Sequence, residues 1–101
     1  MQLPKKVKIG CFTYTVEEWR EDLAEAAECF GTCSDKHQVL QIATHHGDER
    51  THATLLHEIL HAIWHVWSIE AEDGEERTIQ VITHGLMAVI NDNPKLLAGM
   101  K

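Results

Sequence analysis

No stretch of this 101-residue chain approaches the roughly 20 consecutive apolar residues that a membrane-spanning helix needs, so no membrane partner is expected. The first residues also lack the apolar run of a secretory signal, and a cytoplasmic location is the resulting expectation. Cationic charge is scarce. Nine Lys and Arg stand against 16 Asp and Glu, a formal net charge of −7, and a phosphate backbone recruits clustered bases, so nucleic acid is excluded as a partner. The Lys5-Lys6-x-Lys8 cluster reads instead as a solvated edge strand, where positive side chains discourage unwanted pairing. Cysteine is limited to Cys11, Cys29 and Cys33. An odd number without a secretory signal points to reduced thiols rather than a disulfide framework, and small buried residues are expected at these positions. Repeats, low-complexity tracts and linkers are missing too, which leaves a single domain over residues 1–101.

What is present is ordinary globular material, 44% hydrophobic and 25% charged, enough apolar content to argue against disorder. Val7 and Ile9 alternate with lysines, and Phe12, Tyr14 and Val16 alternate with threonines. The apolar parity switches across Gly10-Cys11, as a tight hairpin turn or bulge requires. Trp19, Leu23, Ala26, Ala27 and Phe30 recur at helical steps and predict a short amphipathic helix. Phe30-Gly31-Thr32-Cys33, Ser34-Asp35-Lys36 and Val39-Leu40-Gln41-Ile42 read as strand, turn, strand. Two long helices follow. The first covers about residues 51–68 with Leu56, Leu60, Ile63 and Trp67 as its core stripe. The second starts from Asp73 as N-cap and runs to about residue 91, with Ile79, Ile82, Leu86, Val89 and Ile90 as its apolar face. The expected fold is α+β: a small antiparallel sheet of two hairpins packed on an antiparallel pair of helices.

The first long helix carries His57-Glu58-Ile59-Leu60-His61. Residues four apart share a helical face, so His57 and His61 can converge on one metal ion, and zinc accepts neutral imidazole nitrogens. Glu58, one residue round, is placed to take a proton from water rather than to bind metal, and with His65 it falls on the more open side of the helix. A third ligand is required, and Glu70, Glu72, Glu75, Glu76 and His84 are the candidates downstream. Glu76 lies at the edge of the second helix's apolar face, where a carboxylate reaches the motif without full burial, and Gln80 one turn on can hydrogen-bond it. Two observations compete with that reading. Asp73-x-x-Glu76 is also a capping-box pattern. In a simple antiparallel hairpin, moreover, Gln80 or His84 would be more nearly level with His61 than Glu76 is.

Thr54-Leu55-Leu56-His57-Glu58-Ile59-Leu60-His61-Ala62-Ile63, then Glu75-Glu76-Arg77, His84-Gly85-Leu86 and Asn91-Asp92-Asn93-Pro94, resemble small zincin-like proteins of phages and prophages. They also resemble, more distantly, the ImmA/IrrE-type metallopeptidases, over roughly residues 30–94. The resemblance implies a gluzincin-type site: His57 and His61 as zinc ligands, Glu58 as catalytic base, and a glutamate of the Glu75-Glu76 pair, Glu76 above all, as third ligand. It also implies that the strand at 39–43, just before the motif helix, is the edge along which an extended substrate pairs.

The expected activity is zinc-dependent hydrolysis of a peptide or protein substrate, with His65, His84 and Tyr14 as available oxyanion donors. The competing expectation is a non-catalytic module that keeps zinc to stabilise a small core. Glu58 separates the two, because a purely structural site has no use for a carboxylate beside its first histidine. His45-His46 reads as part of a solvated loop, and Trp64 and Trp67 as packing residues.

Overall fold

The computed structural model describes residues 3–69 and 74–100. Strands β1 (Lys6–Ile9) and β2 (Phe12–Glu18) form the first hairpin, with Gly10 at φ 62° in its turn, a left-handed conformation that glycine adopts without a Cβ penalty. Helix α1 (Glu21–Ala27) follows, then the second hairpin, β3 (Gly31–Ser34) and β4 (Val39–Ile42). Helices α2 (Asp48–Val66) and α3 (Glu75–Asp92) carry the motif and the downstream acids, and a single turn, α4 (Leu96–Gly99), ends the described chain.

Both predicted hairpins form, but the sheet is mixed rather than antiparallel. Its order is β1-β2-β4-β3, and the two hairpins join through a parallel pairing of β2 with β4, Thr15 to Val39 through Glu18 to Ile42. The reason lies in the α1 excursion. Trp19 N–H donates to Ile42 O at 2.9 Å and Ala43 N–H donates to Phe30 O at 2.8 Å, so the chain leaves and re-enters the sheet beside the end of β4. That connection turns the second hairpin so that β4, not β3, meets β2. The segment 39–43 is therefore interior, and the free edge near the motif belongs to β3. The opposite edge is β1 with its lysines, as their spacing predicts.

Alternation along the strands sends Ile9, Tyr14, Val16, Leu40 and Ile42 to one face, where they are buried against Ala62 and the half-buried Leu55, Ile59, Ile63 and Val66 of α2. Of the expected α2 stripe, only Ile63 packs on this core. Leu56 and Leu60 are half-buried, and Trp67 is 59% exposed. The face turned inward instead carries Thr51, Thr54, Glu58 and Ala62. Close approach explains it. A Cβ added at Gly31 of β3 would lie 2.7 Å from Thr54 Cγ2, 2.9 Å from the Gln41 carbonyl oxygen and 3.3 Å from Glu58 Cγ, leaving no room for large side chains between strand and helix.

Helix α3 lies antiparallel to α2. Glu75 and Glu76 meet His61, Gln80 and Thr83 share a cavity with His57, and Met87 and Asn91 share one with Glu49 and Arg50. Ile79 is fully buried, whereas Leu86 and Val89 are exposed, so only the first half of the expected apolar face is covered. Cys11 and Cys29 are exposed and Cys33 is half-buried, all as free thiols; the expectation of buried cysteines holds only in part. Asp73, the expected N-cap, and the candidates Glu70 and Glu72 lie outside the described residues. No described helix is long and apolar enough to cross a membrane.

The Gly31 contact yields a test. Gly31→Ala forces Thr54 and a strand carbonyl apart, and unfolding by urea should show a midpoint lowered by the equivalent of about 1–3 kcal/mol with an unchanged slope. An unaltered midpoint would show that β3 can move away from α2 at no cost.

Candidate metal centre

His57 and His61 occupy successive turns of α2 on the side facing α3, both half-buried, their ring centroids 4.9 Å apart. Glu76, in the first turn of α3, reaches both. Its Oε1 is 2.9 Å from His57 Nε2 and its Oε2 is 2.7 Å from His61 Nε2, while the two Nε2 atoms are 3.2 Å from each other. The level mismatch expected of a simple hairpin is bridged by the reach of the glutamate side chain. Glu76 is thus turned toward the histidines, not back to its own helix end as a capping box would require. Gln80 Nε2 points at Glu76 Oε1 from 3.4 Å, on the side the spacing predicts.

Glu75 takes the other side of the ring. Its Oε2 lies 2.9 Å from His61 Nδ1, a contact in which Nδ1–H can donate and so orient the ring with Nε2 toward Glu76. His57 is held below the usual histidine range, chiefly by burial and further by His61, with Glu76 opposing the shift. Two imidazole nitrogens and a carboxylate face one space, and nitrogen and oxygen atoms at this separation could hold a metal ion. His57, His61 and Glu76 form one of two described His/Glu groups able to hold a metal ion.

Glu58 is 7% exposed, which corrects its expected place on the open side of the helix. Burial raises its carboxyl from 4.5 to about 7; His61 opposes that rise and Glu76 adds to it. It borders two cavities, one of about 420 Å³ whose wall includes His57, Glu76, Gln80 and Thr83, and one of about 400 Å³ whose wall includes His61, Trp64 and Glu75. Gly31 lines the first cavity and Cys33 the second, so strand β3 runs from one to the other past Glu58.

The three expected oxyanion donors separate in space. His84 lines the first cavity and His65 the second. Tyr14 is buried in the sheet core and donates to Asp35 Oδ1 at 2.8 Å; burial, then that carboxylate, push its hydroxyl well above the usual range, so it stays a protonated structural donor. Two residues of the first cavity carry no earlier signal as site residues, Arg50 and Thr83. The Thr83 hydroxyl is buried without a hydrogen-bond partner among the described residues, and its residue is 3% exposed. The visible clue is periodicity, because Glu76, Gln80 and Thr83 share one stripe of α3.

No protein-family model, curated protein or solved structure gives a significant match to this chain.

Two outcomes follow from this geometry. In zinc titrations of metal-stripped protein, Glu76→Gln and His61→Ala should each weaken binding at least about 100-fold, and Glu75→Gln about 10- to 100-fold through loss of ring orientation, with His84→Ala near wild type. Equal losses for Glu76→Gln and His84→Ala would reject this ligand set. The second outcome concerns Glu58 without metal. Its folded value lies above its unfolded one, so it adds stability that is complete below pH 4.5 and lost as pH rises through about 7. Glu58→Gln escapes that loss. Its stability advantage over wild type should grow by about 2–3 kcal/mol across this window, measured by denaturant unfolding at several pH values. Parallel curves would show that the carboxyl titrates normally.

Proposed function

We propose that this protein is a zinc-dependent peptidase that hydrolyses an amide bond of a peptide or protein substrate, with His57, His61 and Glu76 as metal ligands and Glu58 as general base. The observation that carries the reading is Glu58: a carboxyl shielded from water, pushed to about 7, beside the metal-ligand cluster and between two cavities. Holding a metal needs no such group. Moving a proton at neutral pH does, since a catalytic acid–base group works best with a value near the operating pH.

When bound, the metal ion supplies Lewis acidity that brings the pKa of a water toward about 7 and polarises a carbonyl. The chain's own residues do the rest. Glu58 takes a proton from the attacking water and returns it to the leaving amine, its burial holding the proton between the two events. His57 and His61 offer imidazole nitrogens as ligands, and Glu75 orients the His61 ring from its far side. Gln80 steers one oxygen of Glu76. The exposed His84 ring is a donor on the wall of the first cavity, available to a substrate carbonyl. An extended peptide would lie along the free edge of β3, pairing with its backbone as an added strand and filling the two cavities with alternate side chains.

A second reading is favoured by one specific observation, the thin anchoring of α3. Ile79 and Thr83 are its buried residues, so a metal gripped between α2 and α3 would stabilise the fold even without chemistry. One pair of variants separates the readings. Glu58→Gln should retain zinc on dialysis yet cleave a responsive peptide about 10²- to 10⁴-fold more slowly, whereas His57→Ala should lose both zinc and activity. Zinc-loaded wild type that cleaves no member of a diverse peptide library, or Glu58→Gln that cleaves as fast as wild type, would leave the stabilising role alone.

A further inference from the structure

We propose that Glu25, His45 and His46 form a second divalent-metal site, of the zinc class, that fastens α1 to the loop entering α2. These residues belong to different segments brought together by the sheet. Because Trp19 N–H bonds Ile42 O and Ala43 N–H bonds Phe30 O, the chain after β4 emerges between the two ends of the α1 excursion, beneath Glu25. A turn at His45-His46 then swings both imidazoles to one side, where adjacent side chains on an extended strand would point apart; their centroids are 3.9 Å apart. Gly47, at φ 95°, closes that turn in a conformation open to glycine and starts α2.

Both rings address one carboxylate oxygen. Glu25 Oε1 is 2.6 Å from His45 Nε2 and 3.7 Å from His46 Nε2, and the three donors lie within 4.8 Å of one another. An ion with bonds of about 2.0–2.2 Å holds its ligand atoms roughly 3–4 Å apart, so small rotations about side-chain torsions suffice. Two imidazoles and one carboxylate suit zinc, cobalt or nickel and not calcium or magnesium, which take oxygen. The His46 ring is itself set by an edge contact with Phe30, centroids 4.9 Å apart, and Arg50 lies over the other ring. Helix α1 opens with Glu21 and with Asp22, the latter paired with Arg20, and has no base in its last turn. That helix also has most to gain, since Ala24 is its one buried residue. Phe30 and Arg50 line the cavity beside Glu58, so an ion here would also steady the rim of that cavity.

The test is made on metal-stripped full-length protein titrated with zinc, and with cobalt for its ligand-field absorption. Wild type should bind two equivalents. His57→Ala/His61→Ala should keep one, at an affinity tighter than about 10 μM, and that ion should slow amide exchange across α1 about tenfold or more. Adding Glu25→Gln to that double variant should abolish both effects. If the double variant fails to fold, His45→Ala/His46→Ala in an otherwise wild-type chain must lower the stoichiometry from two to one. Zinc binding that is unchanged in stoichiometry by His45→Ala/His46→Ala overturns the proposal, as does weak binding that ignores Glu25→Gln. Because the two sites share no residue, loss of zinc at His57 and His61 and loss at His45 and His46 read out separately.

Discussion

The carboxyl of Glu76 reaches two imidazoles of the neighbouring helix at once, a contact that ties one long helix to the other. His57, His61 and Glu76 lie within about 3 Å of one another in it, and the start of α3 is held against α2 there. Helix α3 has too few buried apolar side chains to fix its own position, with Ile79 its single fully buried hydrophobe. The polar cluster near its start makes up for that. Glu75 and Glu76, adjacent on the chain, grip the two nitrogens of one ring from opposite sides. These contacts therefore help to align the two helices.

The sheet supplies the other half of the site. Thr51, Thr54 and Ala62 are small, and Gly31 has no side chain, so β3 and α2 approach closely enough to strip water from Glu58. A carboxyl in that position is costly to ionise, which is why burial raises it to about 7. Cys33 responds to the same dry seam: burial, with Asp35 beside it, pushes its thiol well above the usual range.

Local geometry made much of this legible in the primary structure. His57 and His61 share a face because helical pitch alone dictates it, and alternation about Gly10 and from Val39 to Ile42 marks both hairpins. Alternation says which face a strand buries but not which strand lies beside it, so the parallel seam between β2 and β4 was out of reach. The stripe Leu56, Leu60, Ile63 and Trp67 misleads for a related reason. Helix α2 is flanked by the sheet and by α3, and the tightest contact selects small residues and one buried acid over the largest apolar ones. Choosing among Glu75, Glu76 and His84 needed the relative level of two helices, a tertiary quantity, and the buried hydroxyl of Thr83 announces itself only as one more polar residue at helical spacing.

The parallel seam carries a consequence for how the molecule assembles. Each hairpin closes over a few residues from local contacts, but pairing Thr15–Glu18 with Val39–Ile42 requires the 20 intervening residues, 19–38, α1 included, to loop back first. That ring closure makes late docking of one hairpin on the other the natural bottleneck. Until it occurs, β3 has no fixed relation to the core, and the nascent chain has its histidines in register on a helix before it has a wall to work against.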